Sequence, residues 1–280
     1  MNDPKRKILL FIVLTVALSM ILWVPIVRAG SDGMNKGGFV MALMWCPGIA
    51  AILTRLITQR NLRGMGWKPR TAKLLGLAYI LPVLYALPVY LLAWGIGLGG
   101  FDPAKWGESL QTNGPALPSL AILATLGAVI SLFSALGEEI GWRGLLVPEL
   151  AKTTNFRNTA LISSAIWGAW HMPLIIGANY RGTGTPLWFS IACFLVMVLG
   201  IGTLMAWLRL RSGSLWPCAV LHATHNLFVQ AVFDSATIDK GSVNSLTGEF
   251  GVGLAVTIGI AAWIAVRTYK PSQFVETDNA

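Results

Sequence analysis

The chain reads as an all-α, polytopic membrane protein with about eight transmembrane helices. Three observations carry that reading. It is 55% hydrophobic and only 12% charged over 280 residues, about half the charged fraction of a soluble globular protein. Its apolar residues gather in windows of about 18 or more, long enough to cross a bilayer core as helix. The alternating patterns of an outer-membrane barrel are absent, and helices are the remaining way to satisfy every backbone group within hydrocarbon.

The spans fall near 7–28, 39–58, 74–98, 119–137, 158–177, 187–208, 215–233 and 250–268. Lys5, Arg6 and Lys7 precede the first. It reads as a retained helix rather than a cleaved signal, because Trp23 and Pro25 interrupt the pattern expected before a cleavage site. The second and third flank the most basic loop, Gln59 to Lys73. Between the third and fourth, the 98–118 segment carries Gly99, Gly100, Pro103, Gly114, Pro115 and Pro118 with Asp102 and Trp106. That composition fits an outer interfacial loop with tryptophan at headgroup depth. The fourth and seventh spans each hold polar residues at or near one end, the fifth contains Pro173, and the sixth and eighth are uninterrupted. No internal repeat is visible. The organisation is one transmembrane domain over 1–270, followed by a polar tail, 271–280, that reads as disordered.

The net charge of +9 would suggest nucleic acid in a soluble protein. Here the basic residues sit in short segments between spans, and no basic, aromatic-interleaved soluble stretch exists, so nucleic acid is excluded as a partner. Membrane lipid is the partner such charge implies. With the N-terminus inside, sixteen Lys/Arg fall on inner segments and five, Arg28, Lys36, Lys105, Arg181 and Lys240, on outer ones. The positive-inside bias therefore places both termini in the cytoplasm. Compactness and the lack of a eukaryotic targeting signal suggest a bacterial inner membrane. Cys46, Cys193 and Cys218 lie in apolar stretches without CxxC spacing, which reads as buried free thiols.

Ionisable residues within spans are costly and mark functional candidates. Glu138-Glu139 with Arg143 close the fourth span. Adjacent carboxylates point about 100° apart on a helix, while Glu139 and Arg143 are spaced i, i+4 and can pair, leaving Glu138 for a cavity. An ordinary charged helix end is the alternative. Trp167 and His171 share a face of the fifth span. There the alternative is a packed, hydrogen-bonded histidine, and Pro173 should kink the helix beside it. His222 and Asn226 share a face of the seventh span, with His225 on a neighbouring part of it. Interhelical hydrogen bonding is the alternative there. The chain has three histidines, and all lie in these clusters. A Glu and a His on separate helices, with a second His and an Asn, can supply an activated water and oxyanion donors. No HExxH, GxSxG, paired intramembrane aspartates or glycine-rich nucleotide loop occurs.

In this order the three motifs, Glu138-Glu139-x-x-x-Arg143, Trp167-x-x-x-His171 and His222-x-x-x-Asn226, resemble the CPBP family of CAAX-processing and bacteriocin-processing membrane proteases, over about 119–233. The family usually has Phe where Trp167 stands, and the His-x-x-x-Asn spacing favours His222 over His225. The resemblance implies an intramembrane endopeptidase acting on a peptide or lipidated protein, with CAAX-type C-terminal processing in one branch. It implies that Glu138 and His171 activate water, that His222 and Asn226 stabilise the oxyanion, and that Glu139, Arg143 and Trp167 support them. No cofactor is favoured, because an amide suits an oxyanion better than a metal. Zinc on Glu138, His171 and His222 is the alternative. A non-catalytic membrane partner or bacteriocin-immunity protein and a proton-coupled transporter are the rival functions.

Overall fold

The structure is a computed structural model that describes residues 3–34, 37–112 and 114–270. Lys36 and the 271–280 tail, for which the sequence suggests an outer charge and disorder, lie outside the described residues. The helices are α1 (Pro4–Ala29), α2 (Ser31–Met34), α3 (Gly37–Gln59), α4 (Ala72–Gly95), α5 (Lys105–Ser109), α6 (Ala116–Ile122), α7 (Ala128–Glu139), α8 (Val147–Ala151), α9 (Phe156–Gly177), α10 (Leu187–Ser212), α11 (Trp216–Asn226) and α12 (Val252–Thr268). Two π-helical segments, Leu123–Gly127 and Ile140–Leu146, join α6, α7 and α8 into one 36-residue helical run, and a third, Leu227–Asp234, extends α11. The protein is an all-α, polytopic integral membrane protein. Six of these helical units are long and apolar enough to cross a membrane. The expected seventh span is divided between α11 and its π extension, and the expected eighth is the 17-residue α12.

The ends of the molecule alternate with the chain. The connections 60–71, 152–155 and 213–215 lie at one end, here the basic end, and 96–115, 178–186 and 235–251 lie at the far end. At the far end the sequence suggests only interfacial loop. The structure adds a two-stranded antiparallel ribbon, β1 (Gly99–Phe101) with β2 (Thr237–Asp239), in the register Gly99 to Asp239. Trp106 is buried against the protein, and its Nε1 donates to the carbonyl of Val232, 2.8 Å away, in the third π segment.

At the basic end, three residues counted from sequence as inner-side charge surround one buried carboxylate. Glu149 of α8, fully buried, is approached by Lys7 of α1 and Arg55 of α3 at 3.7 Å each and by Lys152 at 2.9 Å. One carboxylate thereby joins the first, second and fourth spans. Lys7 and Arg55 are nearly as buried as Glu149, and only Lys152 reaches outward. Burying such ions is tolerable only because each faces an opposite charge. Arg209 of α10 closes the same end, donating to the carbonyls of Arg143 at 2.7 Å and Gly64 at 3.0 Å.

Glycine decides how α7 meets α3. A Cβ on Gly48 would lie 2.5 Å from the Gly137 carbonyl oxygen, one on Gly137 within 2.8 Å of the Met44 carbonyl oxygen, and one on Gly141 within 2.6 Å of Pro47. The two backbones therefore touch, as small residues permit in membrane helix pairs. This close crossing flanks Glu138 and Glu139 and sets their height within the bundle. Gly137→Ala should lower the melting temperature of the detergent-solubilised protein by an amount equivalent to about 1–3 kcal/mol, since backbone rather than a flexible side chain must give way. Gly259→Ala, where the added methyl meets nothing, should not, and thermal unfolding of both variants checks this.

Candidate active site

The three motif segments lie on α7, α9 and α11 and converge in the interior. Glu138 and Glu139 end α7, and the chain passes directly into the π segment that carries Trp142 and Arg143. Neighbouring positions on a helix diverge, and the two carboxylates do so here. Both of the bonds that Glu138 accepts fall on one oxygen: its Oε2 takes the indole N–H groups of Trp142 at 3.1 Å and Trp167 at 2.7 Å. Glu139 turns the other way. Its Oε1 accepts from Arg143 Nη1 at 2.7 Å and from His222 Nδ1 at 2.9 Å. The expected Glu139–Arg143 pair is present and fully buried, and it also reaches the third motif.

Trp167 is the hinge of the arrangement. Its N–H bonds Glu138, the Arg143 guanidinium lies 4.4 Å from its ring centroid, and the rings of His171 and His222 meet it edge-on at 5.6 and 5.4 Å. The first motif is thus tied to the second by an indole and to the third by a carboxylate. The His171 ring packs against Trp167, and its Nδ1–H donates to the Trp167 carbonyl at 2.9 Å. Helix α9 continues through Pro173 to Gly177.

Glu138, Trp167, His171, His222 and Asn226 line one cavity of about 270 Å³. Its remaining wall is divided. Leu43, Met44, Leu174, Phe194, Met197 and Ile201 make an apolar side, while His225, Gln230, Tyr180 and Glu249 add polar groups toward the far end. Glu139 and Arg143 stand behind this lining. A second cavity of about 280 Å³, lined by Arg181, Asp234, Asn244 and Thr247 among others, shares Tyr180, Gln230 and Glu249 with the first.

Sequence reasoning missed this polar wall. Glu249 precedes the last apolar helix and looks like an ordinary loop acid, yet it is buried. Burial opposes its charge, but His225, Tyr180 and Gln230 hold its carboxyl well below the usual range, at about 2. Trp142 could have been found, since it stands i+4 from Glu138 inside the motif itself. Tyr85, whose hydroxyl is 2.7 Å from His225 Nδ1, sits in an apolar span with no local signal.

Glu138, His171 and His222 are the side chains that the resemblance offers to zinc. Among the described residues, no three His, Cys, Asp or Glu side chains gather closely enough to hold a metal ion. Glu138, His171 and His222 each spend one polar atom on a hydrogen bond within the protein.

Residues 120–228 match the family model of type II CAAX prenyl endopeptidases, Rce1-like, an interval that contains all three motifs. Over that interval the chain is similar to the Rce1-like prenyl endopeptidases. It is 22% identical over 217 residues to CAAX prenyl protease 2 of Methanococcus maripaludis, which covers 72% of this chain and 76% of the relative. Both likenesses of this chain are thus to proteins named as CAAX prenyl proteases. The core around Glu139 should be the least tolerant part of it. Glu139→Gln strands the buried Arg143 guanidinium and should cost about 3–5 kcal/mol of stability. Trp167→Phe, which keeps the ring but loses one donor to Glu138, should cost about 1–3 kcal/mol. Thermal unfolding in detergent would rank the two.

Proposed function

We propose that the chain is an intramembrane endopeptidase in which Glu138 and His171 activate water and His222 and Asn226 stabilise the oxyanion. The observation that carries this reading is the convergence of all four side chains on one cavity that also has an apolar wall. The hydrogen bonds suggest a division of labour. With Oε2 of Glu138 fixed by two indoles, Oε1 is left to take a proton from water. His171 commits its Nδ1–H to a carbonyl, so the neutral ring offers Nε2 as an acceptor that orients the same water. His222 donates Nδ1–H to Glu139. As an imidazolium balanced by that carboxylate, it can donate Nε2–H to the oxyanion beside the Asn226 amide.

In this scheme water loses a proton to Glu138 as its oxygen attacks the scissile carbonyl, whose charge passes to His222 and Asn226. Collapse of the tetrahedral intermediate breaks the C–N bond. The proton held on Glu138 goes to the departing amine, and Glu138 returns to its starting state. No step requires a metal. The substrate is a membrane-associated peptide, of the C-terminal CAAX type carrying a lipid if the activity follows the relatives' names. The cavity's methionine-rich and leucine-rich wall suits such a chain, since methionine adapts to irregular apolar shapes. The same reading puts the enzyme in a bacterial inner membrane with both termini cytoplasmic.

Glu138→Gln preserves shape but removes the base, and should lower kcat by about 10²–10⁴-fold. Asn226→Ala should lower it by about 10²–10³-fold. The measurement is mass-spectrometric mapping of peptide termini in membranes holding wild type or Glu138→Gln at matched levels, followed by kinetics on the substrate found. Termini that appear only with wild type support the reading. Identical termini, with the biological effect retained by the variant, would replace it with a non-catalytic binding or immunity role.

A further inference from the structure

The polar wall of the cavity centres on Glu249, whose partners come from two parts of the chain. Tyr180, just beyond α9, donates its hydroxyl to Oε2. Gln230 donates Nε2–H to Oε1 at 3.0 Å, and His225 Nε2 lies 3.3 Å from the same oxygen. On its other side the His225 ring meets the Tyr85 hydroxyl of α4 at 2.7 Å. The wall is therefore held from α4, from the end of α9 and from the segment preceding α12.

The spacing of His225 and Gln230 is the informative feature. They are five residues apart, and on an α-helix such positions point about 140° away from each other. In a π turn, closed by i to i+5 bonding, they stack on one side. The π segment begins at Leu227, immediately after Asn226. One carboxylate oxygen thus gathers a side chain from the last turn of α11 and one from the π segment that follows. A π turn is uncommon in helices and occurs often at functional sites, and Asn226, the last residue of α11, lies between the two at the junction.

We propose that Glu249, acting through His225 and Gln230, is a positioning group that clamps the junction between α11 and the π segment and so aims Asn226, with His222 one α-turn before it, into the reaction cavity. The proposal rests on the peptidase reading above. His225 is by this account a clamp rather than a second oxyanion donor, since its two nitrogens face Tyr85 and Glu249. None of the three sequence motifs contains Glu249, Gln230 or Tyr180.

The test compares wild type, Glu249→Ala, Asn226→Ala and the double variant, with Glu138→Gln as the inactive reference, in a cleavage assay on detergent-solubilised protein. Misaiming one oxyanion donor should lower kcat by up to about 10²-fold while KM stays within about twofold. Glu249→Ala should then add no further loss in the Asn226→Ala background, a non-additivity that general loosening would not produce. Losses that multiply in the double variant, or a kcat equal to wild type, would overturn the proposal. Wild type indistinguishable from Glu138→Gln would instead overturn the peptidase reading. If Glu249→Ala does not purify folded, His225→Gln carries the same comparison with the same expected pattern.

Discussion

Glu139 is the residue on which the rest of the site depends. It is fully buried, and a lone carboxylate in such a place would be untenable. What makes it tenable is Arg143 one turn on and His222 from a helix distant in sequence, both bonded to the same oxygen. The charge that is costly alone becomes a joint between α7 and α11. Arg143 extends that joint by stacking on Trp167 of α9, and its own carbonyl accepts from Arg209 of α10. Four helices are thereby referred to one ion pair, and the cavity is the space left beside it.

A second constraint is helical register. Two of the three motifs run directly into π-helical segments: Glu138-Glu139 into Ile140–Leu146, and His222-x-x-x-Asn226 into Leu227–Asp234. The first π segment lies where Gly141 presses on Pro47 of α3, so its backbone is braced by direct contact. The second is braced by Glu249 through His225 and Gln230. Wide turns widen the choice of directions for the residues around them, and in both places a tertiary contact selects one. The buried charges at the basic end serve the scaffold in a similar way. Glu149 fixes α1 and α3 to α8, and so fixes the helix that presses Gly48 against Gly137.

Much of the site was legible in the chain itself. The i, i+4 spacing of Glu139 and Arg143 announced their pair, and that of Trp167 and His171 announced their ring contact, because both relations are properties of one helix. The polar wall was not legible. Glu249 approaches His225 across 24 positions in a contact that no local periodicity encodes. Lys7, Arg55 and Lys152 counted only as inner-side charge, yet two of them are buried, because the carboxylate that compensates them lies far along the chain.

The sequence by itself determined the membrane class, the approximate spans and the side chains able to do chemistry in a bilayer, because hydropathy and helical spacing are local and hydrocarbon tolerates few alternatives to helix. It did not determine which oxygen of Glu138 is occupied, that Trp167 bonds that oxygen, that Glu139 joins Arg143 to His222, or that a loop carboxylate clamps a π turn. Only the tertiary structure decided those, since each depends on the distance between helices remote in sequence, and that distance is set by backbone contact at glycine and by the need of each buried charge for a partner.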